Sequence, residues 1–259
     1  MTDTVKWDIP VSPQEIPLIA AAVGPEVYEQ LLSEGWWHLE SYLWRIMYDF
    51  EWHDWENRRR VMHLRYQLRD FVFSKSQRGV FRKNADLSYK IQPLRCINEE
   101  KHNLFVKHSQ RFSKRVPQSI MEMTPRWLTE PNMSWECLVY KFDRLVACSF
   151  FDMTAGATAS IYAMFDPEES KRSLGILTMC LEIQNAILQN QKIFYPGYAY
   201  FDSSHMDYKK QFDNTEYFNW ESGTWIPVDR GLVNRHGFQN IRLINDSKQL
   251  DCWPDNLMR

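Results

Sequence analysis

The residues best placed to do chemistry cluster in the segment 161–209, which has the pattern of a strand, a charged turn, a helix and a second strand. The charged turn, residues 166–173, precedes a helix that we predict at 174–190, and a strand follows at 192–200. In such units ligands bind at the turn, because the N–H groups at the start of the helix point outward and the helix dipole favours an anion. The pattern therefore predicts a site for a phosphate-bearing ligand near the start of this helix.

A second candidate is a basic stripe between residues 58 and 95, which holds eleven Lys or Arg against two Asp, although the whole chain has a formal net charge of -2. Lys75, Arg78 and Arg82 lie three and four positions apart in a predicted helix, residues 75–84, and therefore share one face. A basic stripe on an acidic chain is expected of a protein that binds a phosphate backbone. A solvated helix face is the alternative interpretation of the same charges.

Several common chemistries have no motif here. The chain contains no P-loop, no Gly-x-Gly-x-x-Gly and no Gly-x-Ser-x-Gly. His38, His53 and His63 lie near acidic residues, but their spacing matches no common metal site, so we predict none. Five widely spaced cysteines without Cys-x-x-Cys favour free thiols in a reducing compartment. Without a signal-type N-terminus or an 18-residue apolar run, we expect a soluble, cytoplasmic protein that binds neither membrane nor DNA.

The elements that must position these residues predict an α+β fold, and the apolar share of 44% is enough for a sizeable core. We predict helices at 25–32, 75–84, 99–112 and 174–190, the third with Leu104, Phe105, His108 and Phe112 facing inward. Strands are predicted within 36–50, at 61–73 with one basic edge, and at 86–91, 135–142, 145–153, 158–165 and 192–200. Residues 51–57 are predicted to be a polar connection.

The turn Arg172-Ser-Leu-Gly175-Ile-Leu177 resembles the pantetheine-binding turn of the acetyl-CoA-dependent N-acetyltransferase fold. In that fold a Gln/Arg-x-x-Gly-x-Gly/Ala turn offers backbone N–H groups to a pyrophosphate. Leu177 stands where the pattern has a small residue, and this bulk disfavours CoA. The resemblance implies an N-acetyltransferase-like mixed sheet flanked by helices, with an N-terminal α/β subdomain packed on it and a different acyl donor.

Longer segments resemble the aminoacyl-tRNA–protein transferases, which comprise eukaryotic arginyl and bacterial leucyl enzymes. The family pattern of a Ser-Leu-Gly helix start, then Gly-Tyr and Met-x-Tyr-Lys, is met at Ser173-Leu-Gly, Gly197-Tyr and Met206-Asp-Tyr-Lys. Upstream, residues 74–87 are similar to the family's Ser-Gln-Arg-Arg-Val-Leu-Arg-Arg-Asn-Ala-Asp-Leu. The blocks occur in the same order over residues 25–226, and details such as Phe212 and Glu216 are closer to the bacterial branch.

The resemblance implies transfer of leucine or arginine from charged tRNA to the α-amine of a protein or peptide, with aminoacyl-tRNA as co-substrate and no further cofactor. The ester is already activated, so the enzyme has to align it with the amine and exclude water. The catalytic residues that the resemblance implies are Ser173, Gly175, Tyr198 and Lys209. The tRNA- and substrate-binding residues that it implies are Lys75, Gln77, Arg78, Arg82, Lys83, Asn84, Arg172, Leu174 and Tyr208. Backbone N–H groups of 173–175 would meet the 3′ end or the ester carbonyl, and Lys209 would face a phosphate or carboxylate.

The chain departs from the family in the region linked to acceptor recognition. No Cys occurs between residues 48 and 68, where the family has Cys-x-x-Cys pairs, and Gly79 and His205 replace a family Arg and Lys. We divide the chain into an N-terminal subdomain, 1–73, a transferase domain, 74–226, and a tail, 227–259. The departures leave two alternatives open, namely transfer to a dedicated biosynthetic peptide or small amine, and a degenerate member that binds tRNA or protein without catalysis.

Overall fold

A nine-stranded mixed sheet and a small three-stranded sheet form the frame of the protein. The computed structural model describes residues 18–19, 23–51, 54–113, 117–124 and 133–228. The helices are α1 (Pro25–Ser33), α2 (Lys75–Lys83), α3 (Glu99–Ser109) and α4 (Leu174–Leu188). The strands are β1 (Leu18–Ile19), β2 (Trp37–Leu39), β3 (Tyr42–Trp44), β4 (Tyr48–Glu51), β5 (Asp54–Gln67), β6 (Ser88–Pro93), β7 (Ser134–Lys141), β8 (Arg144–Met153), β9 (Ala157–Phe165), β10 (Ile193–Tyr200), β11 (Thr215–Asn219) and β12 (Thr224–Pro227).

The large sheet has the order β12-β11-β5-β10-β9-β8-β7-β6, with β4 paired to β5. Its described pairings are antiparallel except for β9 and β10, which run parallel because α4 connects them as a crossover. The predicted fold class, α+β with a mixed sheet flanked by helices, is confirmed. A parallel pair joined by a helix and preceded by antiparallel strands is also what the N-acetyltransferase-like prediction requires.

Helices cover both faces of the sheet, so its central strands are buried on both sides. Residues Leu145 to Asp152 of β8 are all buried, as expected of a strand between two helical layers. Leu174, Leu177 and Leu181 of α4 pack with Phe81 of α2 on one face. Leu104 and Phe105 of α3 pack on the other face. This two-sided core fixes α4, and with it the charged turn that precedes it.

Local sequence signals set several boundaries. Ser74 caps α2 in a capping box, in which its hydroxyl accepts from the Gln77 N–H and the Gln77 side chain accepts from the Ser74 N–H at 2.8 Å. The helix that begins at Pro25 ends before Gly35, whose φ of 86° suits glycine. The predicted hairpin of 135–142 and 145–153 is confirmed by the pairing of β7 with β8.

Three predictions were wrong. Strand β5 already begins at Asp54, inside the predicted polar connection. It is a central strand between β10 and β11, and its predicted basic edge is covered: His63 is 2% exposed and Arg65 pairs with Glu216 at 2.6 Å. Helix α3 ends at Ser109, which leaves Phe112 38% exposed rather than inward.

Strand β5 also bears on the division of the chain. It belongs to the segment 1–73, yet it pairs with β10 and β11, so the main sheet runs across residue 73. The small sheet, β1-β3-β2, comes entirely from the N-terminal segment. The tail beyond residue 228 lies outside the described residues, as does most of the N-terminal segment before α1. Within the described part, no helix is long and apolar enough to cross a membrane.

Candidate active site at the divergence of two parallel strands

Strands β9 and β10 separate soon after they meet. They pair only at Ile193 with Ala157, Phe194 with Thr158 and Tyr195 with Ala159. Beyond these pairs β9 stays beside β8 as far as Phe165, whereas β10 continues along β5. We call the resulting opening, bounded by Ser160 and Gly197, the notch. In open α/β sheets ligands bind outside the carboxyl ends of parallel strands, which is where the notch lies.

Gly197 shapes one side of the notch. Its φ is +82°, and a register shift in the β10–β5 pairing lies just before it. A Cβ at this position would lie 3.7 Å from Lys209 Nζ and 4.0 Å from the Ser160 carbonyl oxygen. The glycine therefore brings the Lys209 ammonium against the backbone of both strands, and a side chain here would be strained.

Lys209 is held at the notch by a short 3-10 helix, Asp207–Gln211. Its Nζ donates to the Tyr198 carbonyl at 3.2 Å and lies 5.9 Å from the centre of the Tyr198 ring. Its own carbonyl accepts from the Tyr66 hydroxyl at 2.7 Å. Burial lowers the pKa of Lys209 to about 8, although Glu182 opposes this shift. The amine can therefore exchange a proton near neutral pH.

Glu182 of α4 is a functional candidate that the sequence analysis missed. It is 1% exposed, and neither carboxyl oxygen accepts a hydrogen bond from the described residues. Burial raises its pKa to about 7, while the nearby Ser149 and Ser160 hydroxyls and the Lys209 ammonium lower it. The signal was available, because Glu182 is the one acidic residue of the apolar helix Leu174–Leu188.

The two predicted tyrosines lie next to Lys209 in different surroundings. Tyr198 is half-buried and packs against Trp37, with ring centres 5.3 Å apart, and against Tyr200 at 5.7 Å. Tyr208 packs against the core between α4 and the sheet, and burial raises its pKa to about 12. Tyr198, Tyr208 and Lys209 are thus brought together as a group.

The charged turn, residues 166–173, leads into α4 with an unusual residue at the junction. Ser173 has φ 59° and ψ 44°, in the left-handed region, and its side chain makes no capping hydrogen bond. Its carbonyl accepts from the N–H groups of Ile176 and Leu177. The N–H groups of Leu174 and Gly175 stand in the first turn of α4, where the helix itself supplies no acceptor. Leu174 is fully buried and Gly175 is partly exposed, so the Gly175 N–H is the better candidate to meet an oxyanion or phosphate oxygen.

Leu177 does not obstruct this helix start. Its side chain is 4% exposed and packs in the core with Leu174 and Leu181. The steric argument against CoA was therefore wrong, because the side chain points away from the turn's backbone.

Arg172, Lys83 and Asn84 connect the turn to α2. Arg172 binds both carboxylate oxygens of Asp86 at 2.8 and 2.9 Å and also donates to Glu169 at 2.8 Å. Asn84 donates to the Arg172 carbonyl at 3.0 Å, and Lys83 donates to the Lys171 carbonyl at 3.0 Å. These contacts hold the turn in place, so the three side chains already have protein partners.

The remaining predicted residues of α2 divide by exposure. Gln77 is buried in the capping box, and Arg78 donates to the Phe73 carbonyl while its side chain stays at the surface. Lys75 and Arg82 are exposed. Together with Lys83 they leave a cationic outer surface on α2, which the structure places on the same face of the sheet as α4.

An aromatic pocket adjoins the notch. It is lined by Leu32, Gly35, Trp36, Trp37, His38, His63, Leu64, Ala159, Ser160, Tyr195, Gly197 and Trp225, with no carboxylate among them. His63 donates from Nε2 to the Ile46 carbonyl at 3.0 Å, and burial lowers its pKa to about 4, so it is neutral at physiological pH. The described lining of this small pocket is therefore mostly apolar and carries no negative charge.

The acidic residues that could have served a cationic substrate have other partners. Glu169 pairs with Lys141 at 2.8 Å and with Arg144 at 2.9 Å. Asp207 pairs with Lys210 at 2.8 Å, and Asp202 pairs with Arg59 at 2.7 Å. Glu168 is exposed, with a side chain that is 76% accessible.

No metal centre emerges from the part of the chain that the structure describes, which contains no group of three or more possible ligands. His38 lies 2.5 Å from Asp152, and Ser134 donates to the same carboxylate at 2.9 Å in a fully buried cluster. His53 lies outside the described residues. The described cysteines, Cys96, Cys137, Cys148 and Cys180, are free thiols.

Comparison with known proteins matches residues 100–219 to the family model "Arginine-tRNA-protein transferase, C terminus". An aspartate/glutamate leucyltransferase from Acinetobacter baumannii is 24% identical over 177 residues, which is 67% of this chain and 65% of that protein. The corresponding protein from Shewanella putrefaciens is 27% identical over 154 residues, 57% of this chain and 63% of that protein. The chain thus spans somewhat less than two thirds of these relatives' length.

Two solved structures have lower similarity. The structure of L-PGS from Bacillus licheniformis is 13% identical with a TM-score of 0.44, and the match covers 72% of this chain and 67% of that one. A GCN5-related N-acetyltransferase from Kribbella flavida is 13% identical with a TM-score of 0.33, and the match covers 52% and 47%.

Proposed function

We infer from these matches that the chain is a member of the aminoacyl-tRNA–protein transferase family, and we propose that it transfers an amino acid from charged tRNA to the α-amine of a protein or peptide. The observation that carries the proposal is the position of the notch: the turn, the start of α4, Gly197, Tyr198 and Lys209 all fall within the matched residues 100–219. The region that is most similar to the family therefore also holds the candidate chemistry.

The geometry supports aminolysis of an ester. The first-turn N–H groups of Leu174 and Gly175 suit the oxyanion that forms when an amine attacks the ester carbonyl. Lys209 suits a proton-handling role, because its pKa of about 8 lies close to that of an α-amine, about 8. Since the ester is activated in advance, alignment and proton transfer are the main tasks left to the protein.

Leucine is the better candidate for the transferred amino acid. An arginine side chain would need an accessible, unpaired carboxylate, but the described pocket lining has none, and Glu169, Asp202 and Asp207 are paired with cations. The buried Glu182 is only 1% exposed. The aromatic pocket beside Gly197 offers apolar surface instead. The relatives from A. baumannii and S. putrefaciens are both named leucyltransferases.

The outer surface of α2 is proposed as a tRNA contact. Lys75, Arg78, Arg82 and Lys83 are exposed on a helix whose other side packs against α4. Cations that neutralise phosphates give binding that weakens as salt rises. The acceptor has less support from the chain, because no Cys occurs at 48–68, so a dedicated peptide or small amine remains the second candidate beside a protein N-terminus.

The test is a matrix of charged tRNAs against acceptors. Radiolabelled leucyl-tRNA and arginyl-tRNA are each offered with peptides that begin with Asp, Glu or Ala, with the same peptides N-acetylated, and with free amines. We expect leucine on the free amine of the Asp or Glu peptides and none on the acetylated controls. Absence of transfer from either tRNA to any acceptor, with tRNA still bound, would identify a binding protein instead. Acetyl transfer from acetyl-CoA to the same peptides would identify an acetyltransferase.

A further inference from the structure

Glu182 is a buried acid that the contacts of the fold do not explain. It projects from the middle of α4 with 1% exposure, and both carboxyl oxygens lack a hydrogen bond from the described residues. Burial of a carboxylate costs free energy, and its neighbours offset only part of that cost, since the pKa of Glu182 is still raised to about 7. A neutral residue of similar size would avoid this cost. A function that needs the acid would account for its presence.

The surroundings of Glu182 come from five elements. The Ser149 hydroxyl of β8, the Ser160 hydroxyl of β9 and the Lys209 ammonium lower its pKa. Burial raises the pKa of the Cys137, Cys148 and Cys180 thiols and of the Tyr208 hydroxyl, and the charge of the nearby Glu182 raises each pKa further. Geometry also brings Lys209 close to this part of α4: the Tyr66 hydroxyl donates to the Lys209 carbonyl at 2.7 Å and lies 4.0 Å from Met179 Sδ, and Met179 is one helical turn before Glu182. Lys209 is also the cation among the described residues that lowers the pKa of this acid.

Lys209 links the buried acid to the notch. Its Nζ lies 3.2 Å from the Tyr198 carbonyl and directly behind Gly197, which lines the aromatic pocket. The Ser160 side chain acts on Glu182, while the Ser160 backbone lies across from Gly197. Lys209 therefore lies between the buried Glu182 and the notch, where the ester and the amine would meet.

We propose that Lys209 and Glu182 form a proton-handling pair, in which Lys209 takes the proton of the acceptor's α-ammonium and Glu182 positions Lys209 and balances its charge. The pair rests on the proposed function. Glu182 is a positioning residue, since it acts through Lys209, and Lys209 is the group that meets the substrate.

Each proton and each bond in the proposed transfer step has a source and a destination. Neutral Lys209 Nζ takes one proton from the acceptor ammonium, and the freed amine lone pair forms a C–N bond to the ester carbonyl carbon. The bond from that carbon to the ribose oxygen breaks. The nitrogen's second proton passes to the leaving ribose oxygen through Lys209, which gives up one proton and gains another. Lys209 ends protonated and releases its extra proton to solvent before the next cycle.

The pKa values of Lys209 and Glu182 fit a role in proton transfer. With pKa values near 8 for Lys209 and near 7 for Glu182, both groups change protonation within the range in which cells operate. The ionised Glu182 raises the pKa of Lys209, so removal of the acid should lower it further.

The experiment measures the pKa of Lys209 directly, in full-length protein labelled with 13Cε-lysine. The Lys209 signal is assigned by its absence in Lys209→Arg. We expect the Lys209 titration to shift to lower pH by half a unit or more in Glu182→Gln, and not in the exposed control Glu221→Gln. An unshifted titration in Glu182→Gln would overturn the pairing, whether or not the protein transfers amino acids.

Transfer assays then test the use of the proton. With one charged tRNA and one peptide, the rise of kcat/KM with pH should move to lower pH in Glu182→Gln, following the titration, and its plateau should fall about tenfold. Lys209→Arg keeps the charge but not the exchangeable proton, so we expect a loss of about 100-fold or more. Full activity of Lys209→Arg would overturn the role of Lys209 in proton transfer. A kcat/KM profile in Glu182→Gln that does not shift together with the Lys209 titration would overturn it as well. If the wild type transfers nothing in any arm, the proposed function fails and the proton role fails with it, while the titration still reports the charge pair.

Discussion

Gly175 occupies a place in α4 where the fold does not need a glycine. A Cβ there would meet the Phe165 ring carbons at 3.7 and 3.8 Å, which is ordinary contact. A glycine within a helix costs about 1 kcal/mol relative to alanine. Unlike Gly197, it also has no positive φ. The fold leaves this glycine unexplained, and the proposed function explains it by the close approach of an ester or phosphate to the backbone.

The variant Gly175→Ala distinguishes a role of this glycine in stability from a role in ligand binding. We expect the variant to gain about 0.5–1 kcal/mol in unfolding free energy by urea denaturation, since the helix improves and nothing clashes. Transfer from charged tRNA should fall at least tenfold, because the added methyl group, beside the Phe165 ring, narrows the space around the first-turn N–H groups that the proposed function assigns to the ester or phosphate. Gly79→Ala, a helix-interior change in α2, provides the control for stability. An unchanged transfer rate in Gly175→Ala would show that no ligand approaches this backbone closely.

The residue scale also shows where sequence reasoning stops. Resemblance identified Lys209 and Tyr198, which the structure brings together, but gave no reason to single out Glu182. A motif cannot tell a polar side chain that binds a ligand from one that binds the protein. Arg172 illustrates this, because its guanidinium binds protein carboxylates rather than standing free for a ligand. One partner, Glu169, is three residues away in the sequence, and the other, Asp86, is far away in the sequence.

Among the elements, α2 carries the largest share of the exposed positive charge near α4. Its apolar side packs through Phe81 against Leu174 and Leu177, which leaves Lys75 and Arg82 outward. Gly79 sits in the middle of this helix, and a Cβ there would have the Arg82 guanidinium nitrogen at 3.8 Å as its nearest neighbour. There is room for a larger side chain on the charged surface.

Gly79→Arg tests whether this surface binds tRNA. Both Gly79→Arg and Gly79→Ala should stabilise the helix by about 0.5–1 kcal/mol, so the pair isolates the charge. Filter binding of tRNA across a salt series should show tighter binding for the arginine variant alone. Its plot of log K against log salt should steepen by roughly one unit, as for one more phosphate contact. Equal affinities and slopes for the two variants would move the tRNA contact away from α2.

The elements that sequence patterns predicted well are those whose signals are local. Helix α2, which begins at the Ser74–Gln77 capping box, and the β7–β8 hairpin depend on neighbours within a few residues. Strand β5 was misjudged because period-2 alternation does not report what covers the polar side. Glu216 and Trp225, more than 150 residues away in the chain, cover Arg65 and turn an apparent edge into the centre of the sheet.

For the whole molecule, two buried groups make stability depend on pH in opposite directions. Glu182 has a folded pKa of about 7, above its ordinary value, so the folded protein keeps a proton that the unfolded chain releases. Its contribution to stability therefore falls as pH rises from about 4.5 to 7. His63 has a folded pKa of about 4, so the unfolded chain takes up a proton that the fold excludes. Its contribution falls as pH drops from about 6.5 to 4, and His108 acts in the same direction.

The variant Glu182→Gln should separate the contribution of Glu182 to the pH dependence of stability from that of His63. At pH 4.5 the wild-type acid is protonated in the folded protein and about half protonated in the unfolded chain, so its titration should separate the unfolding free energies of variant and wild type by only about 0.4 kcal/mol. At pH 8 the variant should be more stable by about 2 kcal/mol, because a buried carboxylate has been replaced by a neutral amide. The full shift of Glu182 corresponds to about 3 kcal/mol, and part of this is lost because Lys209 no longer has a counter-charge.

Urea denaturation at half-unit steps from pH 4.5 to 8 measures this difference. Below pH 6.5 the Glu182→Gln variant should keep the slope due to the histidines without the opposing contribution of Glu182. His63→Gln should reduce that slope, with His108 supplying the rest, and should keep the loss of stability that Glu182 causes as pH rises. A constant difference between Glu182→Gln and wild type across the whole range would mean that Glu182 has the same pKa in the folded and unfolded states. The acid would then be solvated in the native protein, and access of water to Glu182 through the notch would have to be part of the native structure.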